Sequence, residues 1–360
     1  MKKIEKIIAA VFCLMMLMLP LISCGQKKAA GTTAVSAEAD SKAPIVFKFN
    51  CMSKDFIHHP PARVLGYFVD QVKENLGDKI KWEIYFNSSL GSTNEAVIGG
   101  LQNKMFEFID WSTGSFAEYT NIFMPFDVPY LILNNDVANE ILNGEVGEYF
   151  AKRCIEETGL RIIFYNSIGF RNITTSKKPV QKPEDLKGLK IRVQTNPLHM
   201  KGFSAFGASP TPIAYAELFT SLQQGVVDGQ ENPVSNIVDS KLYEVQDYLS
   251  MTGHLYTVAP VFMNEEYFQS LPKDIQDGIM KAGKAAQKYS QDKLLITDKE
   301  QLEILKDKGM KVSILSSAEL AEFQKVAMVD SDKYAKIIGE SYFNEIKKMI
   351  DKAQSTVLNK

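Results

Sequence analysis

Residues 188–197 read GLKIRVQTNP and residues 207–233 read GASPTPIAYAELFTSLQQGVVDGQENP. In Leu189-Lys190-Ile191-Arg192-Val193 the apolar residues alternate, so a strand here turns Leu189, Ile191 and Val193 to one face and Arg192 to the other. Arg192 then has two readings. It is a solvated charge on a strand, or it is held inside and needs an anion, for which its planar fork matches a carboxylate. Asn232, directly before Pro233, also has two: it caps a helix that opens on proline, or its amide donates to an anion. A capping oxygen leaves the NH2 group free, so these are compatible. Arg171, in Gly169-Phe170-Arg171-Asn172, follows an apolar strand, where ligands of open α/β sheets collect. Its alternative is a surface pair with an acidic side chain.

Around this stretch the periodicity predicts strands over 161–168 and 189–193, helices over 197–206 and 215–224, and a short strand at Val226-Val227. Nearer the N-terminus a strand at 45–50 is followed by a helix over 61–76, whose Val64, Leu65, Phe68, Val69 and Val72 share one face and which Gly77 closes. A strand over 80–86, a helix over 94–103 and a strand over 106–111 continue the alternation. Strands alternating with helices predict an α/β fold with mainly parallel sheets, here as two units, the second starting near Leu160. Residues 272–308 hold Ile275, Ile279, Ala282, Ala286, Tyr289 and Leu294 near helical spacing. Such a helix extends on the order of 45 Å at 1.5 Å per residue, enough to bridge both units. Amphipathic helices over 318–329 and 333–358 are expected to pack outside the second unit.

The 360 residues, 45% of them hydrophobic, suffice for two domains with full cores. The first 23 residues carry a net +2 (Lys2, Lys3 and Lys6 against Glu5), so their removal takes the formal charge from −2 to −4. A polyanion-binding surface is not indicated. Those residues read as a targeting leader: a lysine head, an apolar stretch over 7–22, and Leu21-Ile22-Ser23-Cys24, which resembles a bacterial lipobox with Cys24 as the lipidated terminus. Residues 26–42, rich in Ala, Thr, Ser and Lys, read as a flexible tether. Cys51 and Cys154 are expected as buried free thiols. The four histidines, His58, His59, His199 and His254, form no HExxH pair, and adjacent His58 and His59 point apart on a strand or a helix. No GxSxG, GxGxxG or GxxxxGK[ST] motif is present, so nothing in the sequence requires an enzyme.

The lipobox, FKFN (47–50), NSSLGSTNEAV (87–97), MPFDVPYL (124–131), GFRNITTSKKPV (169–180), DLKGLKIRVQ (185–194), the 207–233 stretch, KLYEVQDYLSMTGH (241–254) and LPKDIQDGI (271–279) follow one another in a familiar order. In this the chain resembles the DctP-type solute-binding proteins of tripartite ATP-independent periplasmic (TRAP) transporters, essentially from residue 45 to the end. The resemblance implies that Arg192 pairs with a ligand carboxylate, that Arg171 assists from the neighbouring strand, and that Asn232 donates to the same group. It makes Tyr215 an aromatic pocket wall, His254 a histidine near the hinge, and Trp111 and Ser112 ligand-selective contacts of the first lobe. Relatives often read LGSDRE where residues 90–95 here read LGSTNE, so Asn94 stands in place of an arginine.

The resemblance further implies a two-lobed periplasmic-binding-protein fold, each lobe a mixed, mainly parallel sheet flanked by helices. Residues 45–168 and 258–295 are expected in lobe I, and residues 169–257 and 296–360 in lobe II, after the leader (1–23) and tether (24–44). The expected function is extracytoplasmic capture of a small organic acid for TRAP membrane subunits. The protein would be a lipid-anchored monomer in the periplasm or on the outer face of the cell membrane, with no cofactor, metal or nucleic acid. A ligand-binding module of an ABC transporter and an extracytoplasmic sensor remain as alternatives.

Overall fold

The computed structural model describes residues 43–359. The leader, Cys24 and the tether up to residue 42 lie outside the described residues. Lobe I is built on a five-stranded sheet. Its strands are β1 (Ile45–Asn50), β2 (Ile80–Tyr85), β3 (Phe108–Asp110), β4 (Leu160–Phe164) and, from later in the chain, β10 (Val261–Asn264), in the order β2-β1-β3-β10-β4. β1 runs parallel to β2 and β3, while β10 is antiparallel to β3 and β4. Helix α1 (Pro60–Leu76) starts on two prolines, whose fixed φ suits a first helical turn, and ends at Gly77 with φ 55°. It buries Val64, Leu65, Phe68, Val69 and Val72 against Phe47, Phe49 and Phe108 of the sheet. The helices α2 (Asn94–Gln102), α3 (Asn135–Asn143) and α4 (Glu145–Thr158) cover the other side.

Lobe II holds a six-stranded sheet of β5 (Ser167–Thr175), β6 (Lys190–Val193), β7 (Ser209–Pro212), β8 (Gly229–Pro233), β9 (Tyr248–Val258) and β11 (Lys311–Ile314), ordered β11-β9-β5-β8-β6-β7. Antiparallel pairs flank β5, and the remaining pairs are parallel. Around it lie α5 (Pro197–Ala205), α6 (Leu218–Gln223), α7 (Val234–Asp239) and α10 (Ser317–Val329). The mixed α/β class with two sheets is as expected.

The chain passes between the lobes where β4 gives way to β5, where β9 gives way to β10, and along α9 (Lys273–Asp307), which follows the short α8 (Glu265–Ser270). The 35 residues of α9 extend roughly 50 Å at 1.5 Å each. Ile275, Ile279, Ala282 and Ala286 pack in the core of lobe I, whereas Leu305 packs in that of lobe II. Gly283 permits this crossing: a Cβ there would lie 2.6 Å from the Ile163 carbonyl oxygen, so the helix backbone rests directly on β4.

Five expectations need correction. The apolar run over 161–168 is not one strand of a second unit but parts of two strands in different sheets, separated at Tyr165-Asn166. There Asn166 donates to the Pro61 carbonyl and accepts from Ser290, and those bonds take the place of a strand ladder. The strand expected at Val226-Val227 lies further on, at β8, and the helix expected over 215–224 is α only from Leu218. The helix expected over 333–358 is two, α11 (Ser331–Ile338) and α12 (Glu340–Leu358), because Gly339 takes φ 103° between them. Finally, α12 does not pack outside lobe II, so residues 296–360 are not all lobe II: Ile346 and Ile350 enter the lobe I core with Ile141 and Phe150. An amphipathic stripe demands a core without saying which one.

Candidate functional site

A cleft of about 550 Å³ lies between the lobes. Behind its lobe II side β6 carries Arg192. Ile191 and Val193 enter the core with Leu189, Phe203 and Phe206, and alternation turns Arg192 the other way, opposite Gln230 of β8. Its Nε donates to the Ile213 carbonyl at 2.8 Å. Its Cζ lies 6.0 Å from the ring centre of Tyr215, whose hydroxyl is fixed by Ser240 at 2.7 Å. Arg192 is only 2% exposed, and its Nη1 is enclosed without a hydrogen-bond partner. Burial brings its pKa down to about 10, Glu231 opposing and neighbouring Arg171 reinforcing the fall. The guanidinium therefore stays charged at neutral pH. A buried ion without a partner costs several kcal/mol.

Arg171, on β5, is differently placed. Its Nε and Nη2 grip the Glu231 carboxylate (Nη2 to Oε1, 2.8 Å), Nη2 also reaches the Glu231 carbonyl at 2.6 Å and Asn232 Oδ1 at 3.1 Å, and Nη1 meets Thr257 at 3.2 Å. Burial pushes the Glu231 carboxyl up, but Arg171 and His254 outweigh it and hold it well below the usual carboxylate range. Behind Glu231 stand His254 Nε2 at 3.2 Å, itself held by Thr252, and His199, which Asp127 fixes at 2.9 Å. Glu231 thus neutralises one of two neighbouring arginines. One positive charge is left over, on Arg192.

Asn232 is a β8 residue. The capping position of α7 belongs to Pro233, and Asn232 instead donates to Gln230 at 2.5 Å, which in turn donates to Thr174 at 2.9 Å. This amide relay orients the wall beside the arginines. Tyr215, Arg171 and Asn232 line the cleft from lobe II, and Trp111 and Ser112 from lobe I. Arg192 is not itself a lining residue; its guanidinium lies beside the ring of Tyr215, which is. His254 is not on it: buried against Glu231, it supports the Arg171 ion pair from the far side.

Lobe I contributes groups that pattern reading passed over. Asp110, at the end of β3, is buried and accepts from the Met52 amide at 3.0 Å; burial raises its pKa to about 6. His59 has Nδ1 3.2 Å from the Ser53 hydroxyl and an enclosed Nε2 with no partner. Burial drops its pKa to about 4, so the ring is neutral. His58, by contrast, is exposed and pairs with Asp55, so the two adjacent histidines do point apart. Asn94 takes the indole N–H of Trp111 at 3.0 Å and donates to Glu118. Gln194, two residues beyond Arg192, reaches toward lobe I so closely that a Cβ on Gly114 would lie 2.4 Å from its Oε1. His59 and Asp110 could have been suspected only from their neighbours, the Pro60-Pro61 helix start and Trp111.

Cys51 and Cys154 are buried free thiols, both with pKa pushed up by burial, Cys154 to about 12. Among the described residues no group of three metal-ligating side chains occurs, and no helix is long and apolar enough to cross a membrane.

The sequence profile of the bacterial extracellular solute-binding proteins, family 7, matches residues 58–337. The chain is 30% identical over 284 residues to the 2,3-diketo-L-gulonate-binding periplasmic protein YiaO of Escherichia coli, covering 79% of this chain and 84% of that one. Among solved structures, the sugar acid binding protein DctPAm of Advenella mimigardefordensis, in complex with galactonate, superposes with a TM-score of 0.80 at 30% identity, over 86% of this chain and 99% of that one. A TRAP periplasmic solute-binding protein of Sulfurospirillum deleyianum with bound succinate gives 0.78 at 27% identity, over 85% and 99%. These are binding proteins and not enzymes. With a two-lobed α/β fold, an interlobe cleft and a profile match over most of its length, the chain belongs to the DctP family, the bacterial extracellular solute-binding proteins of family 7.

Proposed function

We propose that this protein captures a small organic acid between its lobes outside the cytoplasm and delivers it to the membrane subunits of a TRAP transporter. The observation that carries the reading is the enclosed, unpartnered Nη1 of Arg192 beside an Arg171 already neutralised by Glu231. A ligand carboxylate supplies the missing negative charge and the acceptor, and charge-assisted bonds of this kind are about twice as strong as neutral ones. Arg192 is the anchor, Asn232 orients the carboxylate, Tyr215 and Trp111 wall the ligand, and Arg171 with Ser112 completes its surround. Relatives that bind 2,3-diketo-L-gulonate, galactonate or succinate support an acid as the ligand.

Because the ligand touches both lobes, its binding energy favours the closed arrangement over the open one. The chain carries no motif for nucleotide hydrolysis, so transport is driven through the partner subunits. A lipid on Cys24 tethers the monomeric protein to the membrane, with residues 24–44 as the leash. Isothermal titration with a panel of small organic acids tests the reading: at least one should bind, and Arg192→Ala should abolish that binding. Undiminished binding by the variant would refute it. Metabolic labelling with a fatty acid, absent in Cys24→Ala, tests the anchor.

A further inference from the structure

β2 is an edge of the lobe I sheet, paired on one side only, with β1. Its six residues, Ile80-Lys81-Trp82-Glu83-Ile84-Tyr85, keep an unbroken parallel register with β1, and they include neither a bulge nor a proline. The Cys51 amide donates to the Tyr85 carbonyl at 2.8 Å, so Tyr85 turns its backbone groups toward β1. Alternation gives Lys81 and Glu83 the same direction and turns the N–H and C=O groups of Trp82 and Ile84 outward. Among the described residues no hydrogen bond reaches those outward groups. An edge of this kind is a template for a further strand, and natural sheets blunt it. The lobe II edge strand β7 is blunted by Pro210 and Pro212. β2 has no such device except its charges, and these are of both signs.

The side chains say what fits there. Ile80, Trp82 and Ile84 share the face packed on the lobe I core under α1, while Lys81 and Glu83 share the other, 3.9 Å apart. Read about Trp82, the strand is its own complement. An antiparallel copy related by a two-fold axis at Trp82 sets Ile80 against the partner's Ile84 and Lys81 against the partner's Glu83, each pair occurring twice. The outward groups of Trp82 and Ile84 then lie in the pairs that exchange both hydrogen bonds, and the charges occupy the intervening pairs, where side chains stand closest. An axis at Ile80 would oppose Lys79 to Lys81, and one at Ile84 would leave Lys81 opposite Asn87, so only the Trp82 register completes the charge pairs. Beside the edge, a groove of about 820 Å³ between α1 and β2 is lined by Phe56, Ile57, Val69, Trp82, Ile84 and Phe86, with Ile57 69% exposed. Two-fold pairing sets two such apolar grooves side by side on one face of the joined sheet.

The geometry points to β2 as a self-association edge, at which a second copy of this chain adds its own β2 antiparallel about Trp82 and joins two five-stranded sheets into one. The charge pattern selects this partner, because it is complementary to itself. The pairing does not depend on what the cleft binds. Its unit is the tethered monomer proposed above: tethering raises the local concentration at a membrane surface, where a weak, reversible contact suffices.

Oxidative cross-linking in whole cells tests the register, with the full chain carrying Lys81→Cys on one tagged copy and Glu83→Cys on another. Opposed residues of that pair have Cα atoms ~4.5 Å apart, within the span of a disulfide, whereas like residues lie on diagonals of about 7–8 Å. The mixed pair should therefore cross-link and neither variant alone should do so appreciably; the native thiols Cys51 and Cys154 are buried. In sedimentation of the purified protein, the dimer fraction should rise with concentration between about 10 µM and about 1 mM, the weak range of a small interface. Lys81→Glu should weaken association roughly five- to thirtyfold, and adding Glu83→Lys should restore it. Ile84→Pro, which removes only an outward N–H, should abolish association and leave ligand binding intact. Absence of a dimer at about 1 mM, equal cross-linking of mixed and single variants, or undiminished association of Lys81→Glu overturns the proposal. A cysteine at position 81 that joins only a different protein also overturns it, and gives the edge to a foreign strand. The two charge variants change exposed side chains alone, so they decide even if Ile84→Pro does not fold.

Discussion

Glu231 and Arg171 form a two-pronged ion pair inside lobe II, with 0% and 3% of their side chains exposed. The pairing divides the labour between two arginines that look alike in sequence. Arg171 is satisfied by the protein itself. Arg192, carried two strands away on β6, is not, and the surplus charge at the cleft is its own.

The two arginines should therefore respond oppositely to removal. Arg171→Ala strands the Glu231 carboxylate in the interior, and breaking a buried pair from one side typically costs ~3–5 kcal/mol. Arg192→Met deletes an unpaired buried charge while keeping much of the apolar stem, so ligand-free stability should hold or rise. Urea unfolding of both variants checks this; equal destabilisation would show that Arg192 is compensated as well as Arg171.

Ligand affinity should rank the same residues differently. Arg192→Ala removes the proposed anchor, whereas Asn232→Ala removes a neutral donor already shared with Gln230. A hydrogen bond to a charged group contributes about 1.5–3 kcal/mol, or roughly 10- to 150-fold. Calorimetry should give at least that loss for Arg192→Ala and a distinctly smaller one for Asn232→Ala. Arg192→Lys should also bind poorly, since a point charge cannot both bond the Ile213 carbonyl and present a fork.

Acidity acts on stability with two signs. The carboxyl of Glu231 is held low in the fold, so its contribution is present above the ordinary carboxylate range and is lost as pH falls through its depressed value. Asp298, on α9 beside Gly169, has an enclosed Oδ1 with no partner, and burial raises its pKa from 3.8 to about 7. The folded state then holds this proton more tightly than the unfolded chain. Its contribution is fully present at the acid end and declines as pH rises from about 4 to about 7, by no more than ~4 kcal/mol. Asp110 adds a smaller decline of the same sign. Asp298→Asn should be the more stable protein at pH 8 and match the parent near pH 4. A parallel offset at all pH values in denaturant titrations would contradict the assignment.

Asn94 should position the aromatic wall. Its side chain accepts from Trp111 and donates to Glu118, so Asn94→Ala frees the indole. Losing one such neutral bond costs about 0.5–1.5 kcal/mol. Ligand affinity should fall by up to about tenfold with global stability nearly unchanged. Because the chain has only Trp82 and Trp111, the emission spectrum reports the change directly; an unaltered spectrum and affinity would remove Asn94 from the site.

Much of this was legible in the chain itself. Alternation around Arg192 separated it from the core face of β6, and helical spacing from Ile275 to Leu294 announced the bridging helix. What escaped was information held between distant segments. The run from Arg161 to Ile168 is uniformly apolar, so periodicity could not show that Tyr165-Asn166 transfers the chain to another sheet. α12 has an apolar stripe, but only the tertiary fold assigns it to the lobe I core. Whether Arg171 is free or neutralised depends on Glu231, sixty residues away on the adjacent strand, and no local pattern around Arg171 shows that pairing. His59 and Asp110 escaped for the same reason: each acquires its character from burial, which residue type and spacing do not encode.

The most direct measurement is a crystal structure of the protein with an acid bound in the cleft. The account predicts a carboxylate oxygen within hydrogen-bond distance of Arg192 Nη1, with the Arg171–Glu231 pair intact. A bound acid that leaves Nη1 without a partner, or that displaces Glu231 from Arg171, would contradict it.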